Sequence, residues 1–395
     1  MSIIEDLKDK KILIWGYGRE GRATEDFLKR CCRPASVEIF EGKREEINDE
    51  SFDLVIKSPG IVMEEENPKY TSQTELFLEE FRDQVIGITG TKGKSTTSAM
   101  MYHALKECSG RNVVFLGNIG EPCLNYFEEI DKDTIIVFEM SCHQLAHVKV
   151  SPHIALFLNL YEEHLDYYKT MDKYFAAKAN ITRFQKEGDF FFAGDNVPEI
   201  ETKASKIIIS RNAHASFELS VLGEHNEYNA EFVANVAEKC FGISRDKTAV
   251  SLKTFTGLPH RLQYIGEKDG IKYYDDSIST IPNAAIQALE SIPDAKTIFL
   301  GGMDRGINYD VLIDFIKEHR EFNYICSYDS GKRIYDAVEG LPGVYYVKEL
   351  EAAVAFAGEI TPEGGACVLS PASASYGYFK NFEHRGEMFR IYAGL

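Results

Sequence analysis

Short apolar runs alternate with amphipathic stretches along most of the chain. In the opening part, residues 11–15, 37–40 and 52–57 have the apolar character of strands, and residues 23–30 have a helical pattern between the first two. Gly, Ser or Asp follows many of the apolar runs. Strands that alternate with helices build parallel sheets, so the pattern predicts an α/β fold.

The same alternation restarts twice. One series begins with VIGITG at residue 85 and the other with TIFLGG at residue 297. We therefore predict a Rossmann-like domain over residues 1–83, a central P-loop ATPase-type domain with a mostly parallel sheet over 84–294, and a Rossmann-like domain over 295–395. The strand IKYYD (271–275) falls within the central domain in this division. A chain of 395 residues is long enough for two or three domains.

Composition narrows the class of protein. Hydrophobic residues make up 44% and charged residues 27%, as in globular proteins, and the formal net charge is -18. This charge argues against a nucleic-acid binder. No apolar run is long enough to cross a bilayer, and the N-terminal segment lacks the pattern of a signal peptide. We expect a cytoplasmic monomer without membrane insertion, whose eight cysteines are reduced thiols.

The sequence GTKGKSTT (90–97) follows an apolar strand and opens a helical stretch. Glycines let backbone N–H groups curl around phosphates, a Lys can reach the outer phosphates, and a Ser hydroxyl can bind Mg²⁺. The motif departs from the strict P-loop pattern because Ile88 replaces its first glycine. We predict that the loop binds ATP through Gly90, Thr91, Lys92, Gly93, Lys94, Ser95 and Thr96.

A second glycine-rich turn, GYGREG (16–21), lies between a predicted strand and a predicted helix. Taken alone, this turn is weak evidence for a dinucleotide site, as in a nicotinamide-dependent oxidoreductase.

Ten motifs together resemble the Mur ligase family, and within it the glutamate-adding (MurD) type. Besides the phosphate loop they are GNIG (117–120), EMSCHQL (139–145), NLYEEHLDYY (159–168), YFAAKANI (174–181), GEHNEYNA (223–230), GLPHR (257–261), YDDSIST (274–280), LGGMDRG (300–306) and LSPASASYGYFKNFEHRG (369–386). The resemblance implies an ATP- and Mg²⁺-dependent ligase that joins glutamate to UDP-N-acetylmuramoyl-L-alanine through an acyl phosphate, in peptidoglycan synthesis.

The resemblance also implies roles for individual residues. Lys94, Asn118, His164 and Lys178 are the expected catalytic residues, with Lys178 carbamylated. The expected metal ligands are Ser95, Glu139, His164 and Lys178. Further ATP contacts are Asn226, Asn229, Arg261 and Asp276. The expected UDP-sugar contacts are Gly16, Gly18, Arg19, Gly21, Lys43 and Ser58. Glutamate contacts are Thr280, Arg305, Ser375 and Phe382.

Two departures from the family pattern keep the stereochemistry of the glutamate open. Ile278 and Arg305 stand where the glutamate-adding type has lysines. A planar guanidinium and an aliphatic side chain should seat a dicarboxylate differently from two ammonium groups. D-glutamate is favoured, and L-glutamate is the alternative. A ligase that extends folate and a non-catalytic nucleotide-sugar sensor are further alternatives.

Overall fold

The computed structural model describes residues 2–63, 67–118, 121–211, 217–221 and 223–395, without the side chains of Asp166 and Glu224. Ile119 and Gly120 of the GNIG motif therefore lie outside the described residues. Contacts divide the chain into two compact units. Unit 1 comprises the chain up to Leu219 together with Glu224–Thr254, and unit 2 comprises Ser220–Gly223 and Phe255–Leu395.

The first sheet in unit 1 has four parallel strands in the order β2-β1-β3-β4. Its elements are α1 (Ile3–Leu7), β1 (Lys11–Trp15), α2 (Arg19–Cys31), β2 (Ser36–Phe40), β3 (Leu54–Lys57), β4 (Tyr70–Thr71) and α3 (Gln73–Phe81).

The second sheet in unit 1 has six parallel strands in the order β10-β9-β8-β5-β7-β6. Its elements are β5 (Val85–Thr89), α4 (Lys94–Cys108), β6 (Val113–Gly117), β7 (Ile135–Glu139), α5 (Cys142–Leu145), β8 (Ile154–Phe157), α6 (Leu165–Tyr168), α7 (Met171–Arg183), β9 (Phe190–Gly194), β10 (Ser205–Ile209), α8 (Glu224–Phe241) and α9 (Arg245–Lys253).

The sheet of unit 2 has the order β11-β12-β16-β13-β14-β15, and only the β11–β12 pair is antiparallel. Its elements are β11 (Gln263–Lys268), β12 (Ile271–Asp275), α10 (Pro282–Ser291), β13 (Ala295–Leu300), α11 (Asp310–Glu318), β14 (Asn323–Cys326), α12 (Tyr328–Ala337), β15 (Val344–Tyr346), α13 (Leu350–Ile360), β16 (Ala366–Leu369) and α14 (Phe382–Ala393).

The prediction placed β12 in the central domain, and this placement was wrong. β12 pairs in parallel with β16, in the same sheet as the strands of the C-terminal region. Unit 2 begins at Phe255, well before residue 295. The exact bounds of three separate domains remain a prediction.

The central strands of the second sheet are apolar on both faces because helices cover both sides of a parallel sheet. All five residues of β5 are buried, as are all five of β7 and all four of β8. In the register of these strands Ile88 is paired with Glu139, and Thr89 with Phe157. The chain segments that follow β5, β7 and β8 therefore emerge at one edge of the sheet, where ligands bind in open α/β sheets.

None of the described helices combines the length and the apolar character that crossing a bilayer requires. All eight cysteines are free thiols.

Candidate active site

The loop after β5 has the backbone of a phosphate-binding turn. Gly93, the N-cap of α4, has a φ of +82°, in the left-handed region that favours glycine. A Cβ at this position would lie 2.7 Å from Oδ1 of Asn229 on α8. The turn therefore leads directly into α4, whose first N–H groups have no acceptor within the helix, and Asn229 of α8 lies against it.

Two lysine amines converge on the first residue of this loop. The Nζ atom of Lys94 donates to the carbonyls of Gly90 and Thr91, both at 2.9 Å. The Nζ atom of Lys178, which reaches in from α7, donates to the Gly90 carbonyl at 2.8 Å. Two cationic groups beside one carbonyl create a local positive field suited to an anion.

The electrostatics of the two lysines differ from those of surface lysines. Lys178 is 1% exposed. Burial lowers the pKa of its ammonium to about 7, and the charge of Lys94 acts in the same direction. Burial also lowers the pKa of Lys94, while Glu139 opposes the shift. Part of the Lys178 population is therefore a neutral amine near neutral pH.

Glu139 ends β7 and is fully buried. Its Oε1 accepts a hydrogen bond from Nδ2 of Asn118 at 2.8 Å, and its Oε2 has no hydrogen-bond partner among the described residues. The Asn118 backbone N–H also donates to the Glu139 carbonyl, at 3.0 Å. A buried carboxylate oxygen without a partner is costly, and a bound cation would remove that cost.

The donor set around Glu139 fits magnesium better than a softer metal. Within the described part of the chain, no group of three or more His, Cys, Asp or Glu side chains is placed to hold a metal ion. Mg²⁺ needs no such cage, because it commonly uses one or two carboxylates, retained waters and substrate phosphates. The unpartnered Oε2 of Glu139 is suited to that role.

His164 lies in an aromatic cluster near the start of α6. Its φ is +57°, and its ring centroid is 5.2 Å from that of His143 and 6.0 Å from that of Tyr174. The hydroxyl of Tyr174 is 3.2 Å from Oγ1 of Thr91 in the phosphate loop. The structure thus connects His164 to the loop through Tyr174, and its role as a metal ligand remains a prediction.

Asn159, which follows β8, holds the loop in place and was not predicted. Its Oδ1 accepts from the Lys92 N–H at 2.9 Å, its Nδ2 donates to the Lys92 carbonyl at 3.0 Å, and its own carbonyl accepts from the Thr91 N–H at 3.0 Å. The side chain of Lys92 pairs with Glu163 at 2.8 Å. A polar residue just beyond a strand adjacent to β5 was the signal that could have identified Asn159.

The two predicted adenine-side asparagines lie one turn apart on α8. Nδ2 of Asn229 donates to Oδ1 of Asn226 at 3.2 Å, and both residues are buried. Because Asn229 lies against Gly93, the structure brings this pair to the phosphate loop. Ser95 and Thr96 occupy the first turn of α4, next to Lys94.

The glycine-rich turn of the first sheet is tightly built. Gly16 has a φ of +90°, and its carbonyl accepts from Oγ of Ser58 at 2.8 Å. A Cβ on Gly21 would lie 2.3 Å from the Gly16 carbonyl oxygen. Gly16, Gly21 and Ser58 are therefore brought together, as the predicted UDP-sugar site requires.

The remaining predicted UDP-sugar contacts lie at element ends. Gly18 is the N-cap of α2 and Arg19 is its first residue. Lys43 is exposed and caps a short 3-10 helix after β2. Among the described residues, no recorded contact ties Lys43 to the glycine-rich turn.

In unit 2, Asp276 is buried and held by three hydrogen bonds. Its Oδ1 accepts from the Leu262 N–H at 3.1 Å, and its Oδ2 accepts from the hydroxyls of Ser279 at 2.5 Å and Ser370 at 2.7 Å. Burial raises its pKa to about 6. Arg261, just before Leu262, is exposed. The ATP roles of both residues remain predictions, and the carboxylate of Asp276 already has internal partners.

The predicted glutamate contacts differ in exposure. Thr280 and Arg305 are exposed, Ser375 is buried and Phe382 is half-buried. The Phe382 carbonyl accepts from Oγ of Ser277 at 2.8 Å, which links the start of α14 to the segment after β12.

The comparisons with known proteins decide the family. The model of the Mur ligase middle domain matches residues 88–207. A UDP-N-acetylmuramoylalanine–D-glutamate ligase of Enterococcus hirae is 34% identical, and the alignment covers 97% of this chain and 95% of the relative. The chain belongs to the Mur ligase family. The prediction made from the motifs is confirmed.

A second Mur ligase is almost as similar and differs in its named substrate. The UDP-N-acetylmuramoyl-L-alanine–L-glutamate ligase of Salinispora tropica is 31% identical, with 98% of each chain covered.

The fold is also similar to that of a solved Mur ligase. The MurF ligase of Thermotoga maritima, solved in complex with ADP, matches with a TM-score of 0.59 and 16% identity over 99% of this chain and 96% of that one. The predicted α/β class with mostly parallel sheets is confirmed.

Proposed function

We propose that the protein is an ATP-dependent ligase that joins glutamate, with D-glutamate favoured, to the alanyl carboxylate of UDP-N-acetylmuramoyl-L-alanine during peptidoglycan precursor synthesis. The observation that carries the proposal is that the half-buried Lys94 amine and the buried Lys178 amine converge on the phosphate loop after β5. On the adjacent strand β7, the buried Oε2 of Glu139 has no hydrogen-bond partner among the described residues. The two glutamate-adding relatives support the choice of acceptor and nucleotide sugar.

The first chemical step is phosphoryl transfer from ATP to the alanyl carboxylate. An oxygen of that carboxylate attacks the γ-phosphorus, ADP leaves, and an acyl phosphate forms. Two anions must approach each other, so cationic groups fixed in place should stabilise the transition state most. Lys94, at the start of α4, would leave its carbonyl partners to contact the outer phosphates.

Mg²⁺ would neutralise phosphate charge when bound. Glu139 would hold it through Oε2, with the Ser95 hydroxyl next to the phosphates and His164 at a second position. Asn118 orients the Glu139 carboxylate through its 2.8 Å hydrogen bond, so it would fix the direction in which Oε2 points.

Lys178 would act as a carbamate. A neutral amine is the form that attacks CO₂, and the lowered pKa of Lys178 makes that form available near neutral pH. Nζ bonds to the CO₂ carbon and loses a proton, which converts a cation into an anionic oxygen ligand. This change would add an anionic oxygen ligand to the site, besides the Glu139 carboxylate.

The second chemical step is amide formation. The amine of glutamate attacks the acyl carbon, the tetrahedral intermediate collapses, and the C–O bond to phosphate breaks. Thr280, Arg305, Ser375 and Phe382 would hold the acceptor. The UDP moiety would lie on the turn formed by Gly16, Gly21 and Ser58. We further propose that the protein acts as a cytoplasmic monomer.

The test is phosphate release by the purified protein with ATP, Mg²⁺ and UDP-N-acetylmuramoyl-L-alanine, with D-glutamate and L-glutamate in parallel. Release with D-glutamate alone is expected. Release with L-glutamate alone would reassign the stereochemistry and give Ile278 and Arg305 a role in it. ATP binding without release in either reaction would contradict the ligase and favour a nucleotide-sugar sensor.

A further inference from the structure

A buried polar network in unit 2 links motifs that are far apart in sequence. Ser277, two residues after the end of β12, is its centre. Nε of Arg385 donates to the Ser277 hydroxyl at 2.9 Å, and Nη2 donates to the carbonyls of Ser277 at 2.7 Å and Ser373 at 3.0 Å. The Ser277 hydroxyl in turn donates to the carbonyl of Phe382. The position of Phe382 therefore depends on Ser277 and Arg385.

His260 and Asp275 form a charged pair beside this network. Nδ1 of His260 is 2.7 Å from Oδ2 of Asp275, whose Oδ1 accepts from the Ser277 N–H at 2.8 Å. The His260 ring lies edge-on to the Phe382 ring with centroids 5.9 Å apart. A Cβ on Gly386 would lie 2.2 Å from both Nδ1 of His260 and Oδ2 of Asp275, so only glycine fits on that side of the pair.

The backbone around His260 is held in an unusual conformation. His260 has a φ of +61° and Leu262 a φ of +43°. Non-glycine residues rarely adopt such values, and they persist where the surroundings impose them. The Ile278 N–H donates to the His260 carbonyl at 3.2 Å, and the His260 N–H donates to Oε1 of Gln263 at 3.0 Å. These bonds fix the direction of the ring.

The buried charges of the network do not balance when His260 is protonated. Asp275 contacts His260, its charge also acts on Arg385, and both of its oxygens are already engaged by His260 and the Ser277 N–H. Nη1 of Arg385 is buried and has no partner among the described residues. Two cations with one anion leave a net positive charge around a half-buried imidazole and a buried guanidinium, which would attract a carboxylate.

The other charged groups facing His260 do not cancel this excess. Glu383 and Glu387 on α14 add to the effect of Asp275 in raising the pKa of the imidazole, while burial opposes it. Both glutamates are exposed, so water and salt screen their charges. Arg261, which follows His260 in the chain, is a further cation.

We propose that His260 and Arg385 are positioning residues for the acceptor amino acid, whose carboxylate group balances the excess charge of the His260–Asp275–Arg385 network. This inference rests on the proposed function. Arg385 acts through Ser277 on the Phe382 segment, and His260 acts through its charge and through the Phe382 ring.

The experiment measures kcat and the KM for glutamate as a function of pH in wild type, His260→Gln and the matched control His319→Gln. His319 pairs with Glu321 on the surface of the same unit. The informative quantity is the ratio of KM values, variant to wild type, because it cancels the ionisation of the glutamate amine. At about pH 6, where His260 is charged, we expect the KM of His260→Gln to be about tenfold higher with a smaller change in kcat. The ratio should fall toward unity at higher pH.

Two further variants separate charge from structure. Asp275→Asn keeps the imidazole but removes its counter-charge, so the pH step in the KM of this variant should move to lower pH. Ser277→Ala keeps both charged groups, so its KM for glutamate should rise equally at every pH.

The inference would be overturned if the KM ratio of His260→Gln to wild type did not vary with pH. It would also be overturned if His319→Gln changed the KM for glutamate with the same size and pH dependence. If His260→Gln fails to fold, Asp275→Asn provides the test: a step in its KM for glutamate at the same pH as in wild type would overturn the inference. Wild type that releases no phosphate with either glutamate would instead overturn the proposed function and this inference with it.

Discussion

The phosphate-loop region of unit 1 and the Asp276 region of unit 2 differ in how fully the polar atoms of their side chains are hydrogen-bonded. Within the part of the chain that the structure describes, the Oε2 atom of Glu139 has no hydrogen-bond partner, and the hydrogen bonds of the Lys94 and Lys178 amines go to backbone carbonyls. In unit 2, both oxygens of Asp276 are satisfied by internal donors. The first arrangement leaves binding capacity for a ligand, and the second fixes a scaffold.

We interpret the groups with an unsatisfied polar atom as those that act on the substrate, and the fully hydrogen-bonded groups as those that shape the site. A buried charge without a partner costs stability, so its retention indicates that a ligand completes it. A buried carboxylate with three donors holds backbone segments in register and gains little from a ligand. The comparison predicts large catalytic effects in unit 1 and smaller, binding-type effects in unit 2.

Replacing Lys94 should have the largest effect. Lys94→Ala removes a fixed cation from the phosphate loop, and we expect phosphate release to fall by at least about 100-fold, the scale for one lost electrostatic contact in a transition state. The matched control is Lys106→Ala, on the exposed part of the same helix. Equal losses in the two variants, measured by phosphate release, would contradict a direct role for Lys94.

Replacing Glu139 should change the metal dependence. Glu139→Gln keeps the size of the side chain but removes the charge that would hold Mg²⁺, so the Mg²⁺ concentration for half-maximal activity should rise by about 10-fold or more. Glu129→Gln, on an exposed residue upstream, serves as the control. An unchanged Mg²⁺ titration in Glu139→Gln would remove Glu139 from the metal site.

Lys178 should destabilise the folded protein in a pH-dependent manner in CO₂-free buffer. Its pKa is lowered from 10.5 to about 7, so between these values the folded state binds fewer protons than the unfolded chain. The burial penalty is therefore complete below about pH 7 and is relieved as the pH rises. Lys178→Met should raise the free energy of unfolding most at low pH, by roughly a few kcal/mol at most.

Denaturant unfolding of Lys178→Met and wild type at several pH values measures this difference. Lys173→Met, on the exposed side of the same helix, is the control and should show no such trend. A stability difference that does not vary with pH would mean that the Lys178 amine keeps its ordinary pKa.

The smallest effect is expected at Arg305. Because this side chain is exposed, Arg305→Ala should raise the KM for glutamate by only about 10-fold and leave kcat nearly unchanged. Steady-state kinetics with Arg320→Ala as the exposed control measures it. A loss in kcat as large as that of Lys94→Ala would erase the proposed difference between the two regions.

The sequence predicted those parts of the site that are local. The phosphate loop, with its glycines and Lys94, is contiguous, and Glu139 ends an apolar strand, so adjacent residues carry the signal. The α/β class followed from the alternation of strands and helices for the same reason.

Contacts between distant residues could not be predicted in this way. Arg385 reaches Ser277 across 108 positions, and Asn159 reaches Lys92 across 67. The misplaced strand β12 has the same cause, because strand neighbours in a sheet are set by packing rather than by order along the chain. Several assigned roles, including those of His164, Lys43 and Asp276, stay predictions because their ligands define them.

The central claim, that ATP activates a carboxylate before the amide forms, can be tested with an isotope. UDP-N-acetylmuramoyl-L-alanine labelled with ¹⁸O in its alanyl carboxylate is incubated with ATP, Mg²⁺ and glutamate, and the released phosphate is analysed by mass spectrometry. Our account predicts that each phosphate released carries one oxygen from the carboxylate, because the bridging oxygen of the acyl phosphate leaves with phosphorus. Phosphate without the label would contradict it, since water would then be the acceptor of the phosphoryl group.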